Sequence, residues 1–153
     1  MTQKICTFAG HADIFDEQSI KQKLKDEIIN LIENENVDTF YCGDKGDFDR
    51  FCAECVNKLK TQYSFIESYM IFSYLPGKKN EFDSNPYKDF DGTIYPYGLE
   101  FVPKRFAIVK RNEWVIDNSS FLITYINHKW GGAYRTLEYA KRKKHIQFIN
   151  IAN

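Results

Sequence analysis

Three short clusters in the chain combine glycine with charged or aromatic residues, and each follows a run rich in apolar residues. The clusters are residues 9–13 (AGHAD), 43–47 (GDKGD) and 128–132 (HKWGG). Glycine lets backbone N–H groups approach a ligand closely, and the N-terminus of a helix attracts anions. These residue types favour the binding of a phosphate-bearing small molecule. The predicted ligand-binding residues in the clusters are Gly10, His11, Asp13, Gly43, Asp44, Gly46, Asp47, His128, Trp130, Gly131 and Gly132.

The clusters differ in the part of a ligand that they suit. Gly131 and Gly132 open a predicted helix and are the best candidates for a phosphate cradle. The second cluster and the residues just after it are acidic, with Asp44, Asp47 and Asp49, which would repel phosphate but suit the hydroxyls of a ribose. Asp47 is equally well placed to cap the helix that follows it. Glycines that merely end a strand would explain each cluster alone, whereas three such clusters at one edge favour a nucleotide-like ligand.

Charged residues outside the clusters supply further candidates. Arg111 is predicted in a helix that runs towards the same edge, where its guanidinium would balance a phosphate; a solvated surface arginine is an equally ordinary outcome. Glu138 follows Gly132 by six residues, and an ion pair with Arg142 is the plain alternative to a chemical role for it. The other cations that could balance a phosphate are Lys45, Arg105, Lys129 and Arg135.

The spacing of apolar residues predicts the elements that would position these side chains. Ile20, Leu24 and Ile28 recur at every fourth residue, which is typical of an amphipathic helix. Residues 69–75 (YMIFSYL) form a continuous apolar run, as expected of a strand that is covered on both faces. Strands are predicted at residues 4–8, 37–42, 69–75, 121–126 and 145–151, and helices at residues 17–34, 47–63, 103–118 and 132–144.

Alternating strands and helices predict an α/β fold made of one domain, residues 1–153. We expect a doubly wound, mainly parallel sheet of five strands in the order 3-2-1-4-5, with helices on both faces. Residues 77–102 form a long insertion of the kind that often serves as a lid. In such sheets, ligands bind outside the carboxyl ends of the strands, where the three clusters would lie.

The composition excludes several classes of protein. The chain has 21 Lys and Arg against 21 Asp and Glu, so it lacks the cationic excess that a general binder of nucleic-acid polymers needs. No apolar run approaches the roughly 20 residues that cross a bilayer, and the N-terminus has no signal-peptide pattern. The four cysteines form no spaced framework, which predicts reduced thiols and a cytoplasmic location.

Metal binding is not expected, and the aromatic residues have two explanations. Cys52 and Cys55 form a CxxC inside a helical pattern with no second pair, so buried thiols are favoured over a zinc site. The chain has 13 Phe, 10 Tyr and 2 Trp, enough to supply both a ring-rich core and an aromatic ligand site. Trp130 and Tyr134 belong to the second group, because they flank the predicted phosphate cradle and could stack on a base.

Several motifs together resemble the SLOG superfamily, which includes the Lonely Guy phosphoribohydrolases. The signature of those enzymes is an Arg, an "SDAFIALPGG" strand and loop, and a Gly-Thr followed by Glu. This chain has Arg111, residues 118–123 (NSSFLI), Gly131-Gly132 and residues 136–138 (TLE) in the same order. The opening residues 6–13 (CTFAGHAD) are similar to the "CxFTGHR" start of small bacterial and phage members. The resemblance covers most of the chain.

The resemblance implies a Rossmann-like sheet, a nucleotide-derived ligand at its carboxyl edge, and homodimers or larger homo-oligomers. In the hydrolases, the Arg and the Glu act on a ribosyl 5′-monophosphate and cleave its N-glycosidic bond. By position these catalytic residues correspond to Arg111 and Glu138. A carboxylate is suited to that reaction, because it can stabilise an oxocarbenium-like ribosyl centre or orient water.

Departures from the signature favour binding over hydrolysis. Trp130 stands where the hydrolases have the Pro before the glycine pair. Tyr134 and Arg135 replace a small Gly and Thr, Thr136 comes one place late, and Ala12 replaces the Arg of the opening motif. A bulky ring and a cation at these positions suit stacking on a base or gripping a larger phosphate-bearing ligand, so Tyr134 and Arg135 join the predicted ligand-binding residues.

The sequence therefore predicts a protein that binds a nucleotide or a nucleotide-derived signalling molecule and needs no cofactor. SLOG domains are similar to the sensor modules of antiphage NADase effectors, so the expected roles are a sensor in antiphage defence or a sponge that sequesters an immune second messenger. The alternative is a phosphoribohydrolase that acts on nucleoside 5′-monophosphates. A third interpretation is a structural partner whose pocket is vestigial.

Overall fold

A computed structural model of the protein describes residues 3–74 and 86–152. It shows an α/β fold with six strands, four α-helices and a short 3₁₀ helix at Leu99–Phe101. The strands are β1 (Ile5–Gly10), β2 (Thr39–Cys42), β3 (Glu67–Ile71), β4 (Gly92–Ile94), β5 (Phe121–Tyr125) and β6 (Gln147–Asn150). The helices are α1 (Glu17–Glu35), α2 (Gly46–Leu59), α3 (Lys104–Asp117) and α4 (Gly132–Lys141).

The six strands form one sheet in the order β4-β3-β2-β1-β5-β6, and every neighbouring pair is parallel. The order predicted for five strands is confirmed, since β3-β2-β1-β5-β6 is the predicted 3-2-1-4-5. The predicted number of strands was too low by one. The additional strand β4 has three residues, a run too short to show a period in the sequence, and pairs with β3 at the edge of the sheet.

The predicted insertion at residues 77–102 is thus partly regular structure. Its described part, residues 86–102, contains β4 and the 3₁₀ helix. Residues 77–85 of the insertion lie outside the described residues, as does Leu75 at the end of the predicted third strand.

Helices cover both faces of the sheet, because side chains alternate along the parallel strands. Cys6 and Phe8 of β1 point to one face and pack with α1 and α2, whose apolar side chains form the larger core. Ala9 points to the other face and packs with Ile116 of α3 and Leu137 of α4. The sheet is therefore doubly wound and Rossmann-like.

Local sequence explains the limits of α1. Ile20, Leu24 and Ile28 are buried on one side of the helix, as their spacing predicts. The Asp16 carboxylate accepts a hydrogen bond from the Ser19 N–H at the N-terminus. Asn36 ends the helix in the left-handed conformation with φ 59°. The helix therefore begins and ends where side chains or backbone satisfy its free polar groups.

The path of the chain creates a crevice between β1 and β5. From β1 the chain moves outward through β2, β3 and β4, and then returns through α3 to β5 on the other side of β1. The connections after β1 and β5 therefore leave the sheet in opposite directions. In doubly wound sheets this is the point where ligands bind.

Candidate functional site

A cavity of about 140 Å³ lies at the carboxyl ends of β1 and β2, beneath α3 and α4. Gly10, Gly43 and Gly132, one from each predicted cluster, line it. Exposed residues Lys45 and Gly132 are at its rim, so the cavity opens to solvent. Because an engineered protein cavity of about 150 Å³ binds benzene, this one has room for a single ring-sized or phosphate-sized group.

Arg111 is the charged residue that α3 directs into the cavity. It lies four residues from Ala107 and from Val115, and all three residues are on the buried side of the helix. The residue as a whole is 5% exposed. Its Nη1 donates to the Ile71 carbonyl at 2.9 Å, and its Nε donates to Asn112 Oδ1 at 2.9 Å.

Within residues 3–74 and 86–152, the positive charge of Arg111 has no direct counter-ion. Among the described residues, no carboxylate lies within ion-pair distance of the guanidinium. Burial lowers the pKa of Arg111, and the more distant carboxylates of Asp49 and Asp44 oppose that shift. The site therefore holds a desolvated cation that an anionic group entering the cavity would stabilise.

Asp49, in the first turn of α2, faces Arg111 across Gly43. The residue is 9% exposed, and its carboxylate accepts a hydrogen bond from the Lys45 N–H at 3.0 Å. A Cβ on Gly43 would lie 2.7 Å from Asp49 Oδ2 and 3.4 Å from Arg111 Nη1, so both groups approach one backbone point. Burial raises the pKa of the Asp49 carboxyl to about 6, although the Lys45 N–H and Arg111 lower it.

The N-terminus of α4 forms the opposite wall of the cavity. Gly132, Ala133 and Thr136 line it, and Gly131 at the N-cap position provides no side chain to cap the first turn. Gly131 precedes the helix with φ 95°, a conformation that favours glycine. The first N–H groups of a helix have no partner within the helix, and the helix dipole adds partial positive charge there. This end of α4 therefore complements Arg111 as an anion site.

Three rings from two loops form a stack beside the cavity. The ring centroids of His11 and His128 are 3.5 Å apart with planes 9° apart, and those of His128 and Trp130 are 3.9 Å apart with planes 21° apart. The Asn127 N–H donates to His11 Nε2 at 3.1 Å, which requires that nitrogen to be unprotonated. Burial and then the neighbouring His128 lower the pKa of His11. The stack therefore consists of a neutral imidazole, a second imidazole and an indole.

The structure brings most of the predicted site residues to one edge of the sheet, but only some reach the cavity. Those that line it are Gly10, Gly43, Arg111 and Gly132. His11, His128 and Trp130 form the stack, Gly131 turns the chain into α4, and Gly46 with φ 91° packs against Ala12.

The remaining predicted side chains lie outside the cavity. Asp47 forms an ion pair with Arg50 at 3.1 Å, and its N–H donates to the Ala12 carbonyl. Tyr134 packs against the core that Ala9, Ile116 and Leu137 form on the face of the sheet covered by α3 and α4. Residues that are exposed are Asp13, Asp44 and Arg135.

Glu138 lies away from the cavity. Thr136 lines the cavity, and a residue two positions later in a helix is rotated by about 200°. The Glu138 carboxylate instead forms an ion pair with Lys141 at 3.2 Å, and its side chain is 43% exposed. Asp49 and not Glu138 is thus the carboxylate that faces Arg111.

Sequence reasoning grouped Asp49 with an acidic loop and did not select it as a site residue, although a signal for its burial was present. Asp49, Cys52 and Val56 are spaced i, i+3 and i+7, so Asp49 shares the buried face of α2. A carboxylate on an apolar helix face needs a reason, because burying a charge is costly. Thr136, which also lines the cavity, was noted as part of the family signature but was not selected, and Asn112 carried no comparable signal.

Other kinds of site find no support within residues 3–74 and 86–152. No three described His, Cys, Asp or Glu side chains are grouped as metal ligands would be. The four thiols are free, and burial raises the pKa of each of them. Of the described helices, none combines the length and the apolar character that crossing a membrane requires.

Comparison with known proteins does not assign the chain to a family. No model of a protein family matches the chain, and no curated protein matches it. What the molecule itself shows is a Rossmann-like α/β fold with a buried arginine, a buried aspartate and a helix N-terminus around one cavity at the carboxyl edge of its sheet.

Proposed function

We propose that the protein binds a nucleotide or a nucleotide-derived signalling molecule, with an anionic group of the ligand in the cavity between Arg111 and the N-terminus of α4. The observation that carries the proposal is the buried guanidinium of Arg111, which lines the cavity without an ion-pair partner among the described residues. A buried charge is costly unless it is paired, so a phosphate that supplied the missing partner would be bound strongly.

The size and charge of the site favour a phosphate with further groups attached. The cavity accommodates one phosphate-sized group, so the rest of a larger ligand would extend past Lys45 and Gly132 at the rim. Asp49 offsets part of the positive charge, which disfavours small anions that offer nothing but charge. Its carboxyl also supplies an acceptor for a hydroxyl, as carboxylates do for ribose in other doubly wound folds.

Thermal unfolding with and without ligands tests the proposal. Nucleoside monophosphates, NAD, cyclic dinucleotides and cyclic ADP-ribose isomers are added at equal concentration, and at least one is expected to raise the midpoint. A ligand at a hundredfold excess over its Kd stabilises the native state by about 2.7 kcal/mol. If no compound in this panel raises the midpoint, the proposal is wrong.

Substitution of Arg111 checks the location of the ligand. A hydrogen bond to a charged group contributes about 1.5–3 kcal/mol, so Arg111→Met should weaken binding by about tenfold to a hundredfold. Arg105→Met is the matched control, because Arg105 lies on the same helix but is exposed. Equal affinity of the Arg111→Met variant and the wild type would show that the ligand binds elsewhere.

The signalling role within this proposal rests on the resemblance to the SLOG superfamily. We propose that the protein acts in the cytoplasm, as a sensor or as a sequestering protein in antiphage defence or its evasion, and that it forms homo-oligomers. Mass spectrometry of small molecules released from the purified protein tests the ligand class. Sedimentation of the same sample tests the oligomeric state.

Cleavage of an N-glycosidic bond is the second candidate function, and Asp49 is the observation that favours it. A carboxyl whose pKa is about 6 can exchange a proton near neutral pH, and this one faces the cation expected to hold the phosphate. Chromatography of nucleoside monophosphates incubated with the protein would detect a released base. Catalysis through this site requires Asp49→Asn to abolish release, whereas Glu138→Gln, a change outside the cavity, should leave it intact.

A further inference from the structure

The ring stack beside the cavity ends in a side chain that is held on one face and open on the other. Trp130 is 70% exposed, yet its indole stacks on His128, which in turn stacks on His11. The hydrogen bond from Asn127 N–H to His11 Nε2 ties the loop after β1 to the loop after β5. Tyr125 of β5 contacts His11 edge-on, with centroids 6.2 Å apart. The stack is thus built on the sheet, and it orients the indole.

Trp130 is close in sequence to a residue that lines the cavity. Trp130 precedes Gly132 by two residues, so their Cα atoms are at most about 7 Å apart. Gly132 lines the cavity in which we place the anionic group. A ribose between an anion in the cavity and a planar group spans a comparable distance, so such a ligand is long enough to bring a planar group to Trp130.

We infer that Trp130 is a stacking platform for the base of the nucleotide, with the base placed as the next ring on the His11–His128–Trp130 stack. This inference rests on the proposed function, since it names the subsite for the part of the ligand outside the cavity. Stacking suits an exposed indole because a base buries its apolar face there, and the orientation of the indole is fixed before the ligand arrives. Every base has a π-face, so this subsite provides affinity for bases in general.

The two tryptophans of the chain make a direct test possible. Trp114 stacks on Tyr41 inside the fold, so Trp114→Phe leaves Trp130 as the only indole fluorophore. In this background, nucleoside 5′-monophosphates are compared with ribose 5-phosphate, which carries the anion and the sugar but no base. The nucleotides are expected to quench the fluorescence of Trp130 and to bind at least tenfold more tightly than ribose 5-phosphate.

Replacement of the indole, followed by calorimetry in the otherwise wild-type chain, separates stacking from other roles. Trp130→Ala should bind nucleotide and ribose 5-phosphate with similar affinity, whereas Trp130→Phe should keep part of the preference for the nucleotide. Phe65→Ala is the control, because Phe65 is an exposed ring before β3, at the amino edge of the sheet. It should keep the full preference.

The outcomes distinguish the two proposals. If Trp130→Ala keeps the preference for nucleotides, or loses affinity equally for both compounds, the stacking inference is wrong and the anion site is retained. The same holds if the wild type binds nucleotides and ribose 5-phosphate equally well. If the wild type binds none of these compounds while another compound of the thermal panel binds through Arg111, equal affinity of Trp130→Ala and wild type for that compound would refute the inference alone. If nothing binds through Arg111, the proposed function fails as well.

Discussion

Asp49→Asn is expected to stabilise the protein at neutral pH. Burial raises the pKa of the Asp49 carboxyl from 3.8 to about 6, so the folded state holds that proton more tightly than the unfolded chain does. Each pKa unit corresponds to 1.36 kcal/mol, and the shift of roughly two units means that ionised Asp49 costs the fold about 3 kcal/mol above pH 6. Asparagine keeps an oxygen for the Lys45 N–H but has no charge to bury.

The sign and size of the effect depend on pH. For an acid whose folded pKa is raised, the cost is absent below the unfolded pKa, grows as pH rises, and is complete above the folded pKa. The advantage of Asp49→Asn should therefore be about 3 kcal/mol at pH 7.5 and about 1 kcal/mol at pH 4.5. For a chain of this length, 3 kcal/mol corresponds to a rise of roughly 6–12 °C in Tm.

Denaturant unfolding of both proteins at the two pH values measures this difference. Asp47→Asn is the control two residues earlier, since its carboxylate is partly exposed and pairs with Arg50 on the surface. That substitution should not stabilise the protein, and should cost less than about 1 kcal/mol. A destabilised Asp49→Asn variant, or an advantage that does not change between pH 4.5 and 7.5, would refute the burial of an ionised Asp49.

Two further predictions concern residues that line the cavity or lie beside it. The imidazole of His11 should titrate below its ordinary value of 6.5 in an NMR titration, because burial lowers its pKa. The contribution of the neutral ring to the stability of the fold is present above pH 6.5 and is lost as pH falls through the lowered pKa. A titration at or above 6.5 would contradict the stacked, neutral ring. Gly43→Ala should destabilise the fold by about 1–3 kcal/mol in denaturant unfolding, since its Cβ would lie 2.7 Å from Asp49 Oδ2. Gly132→Ala, whose Cβ has no atom within 4 Å, should cost nothing, and equal losses in the two variants would contradict the crowding at Gly43.

Most of the architecture of this protein could be predicted from its sequence. Strands and helices were predicted from local patterns, such as the apolar run at residues 69–75 and the recurrence of Ile20, Leu24 and Ile28 at every fourth residue. The parallel pairing of the strands was predicted from the helices that lie between them in the sequence. Strand β4 was missed because three residues show no period and its pairing with β3 is a tertiary contact.

The candidate site was predicted less completely, because its geometry joins distant segments. Arg111 was found through its motif, and the structure buries it in the cavity. His11, His128 and Trp130 were each selected as loop residues, but nothing in the spacing of two loops so far apart in the chain predicts that their rings stack. Asp49 was missed because sequence reasoning treated it as part of an acidic loop, whereas its place on the inner face of α2 decides its environment.

The two outermost strands have a consequence for how the chain avoids aggregation. A parallel sheet rich in aromatic and branched residues is a template for strands from other molecules wherever its edge is long and flat. Here the edges are strands of only three and four residues, β4 and β6. Beside β4, the Asp91 carboxylate accepts the Ser68 N–H of β3 at 2.8 Å and pairs with Lys60 at 2.7 Å, which holds the start of β4 against β3. Within the described residues, the sheet thus ends in two short strands and presents no long edge to neighbouring molecules.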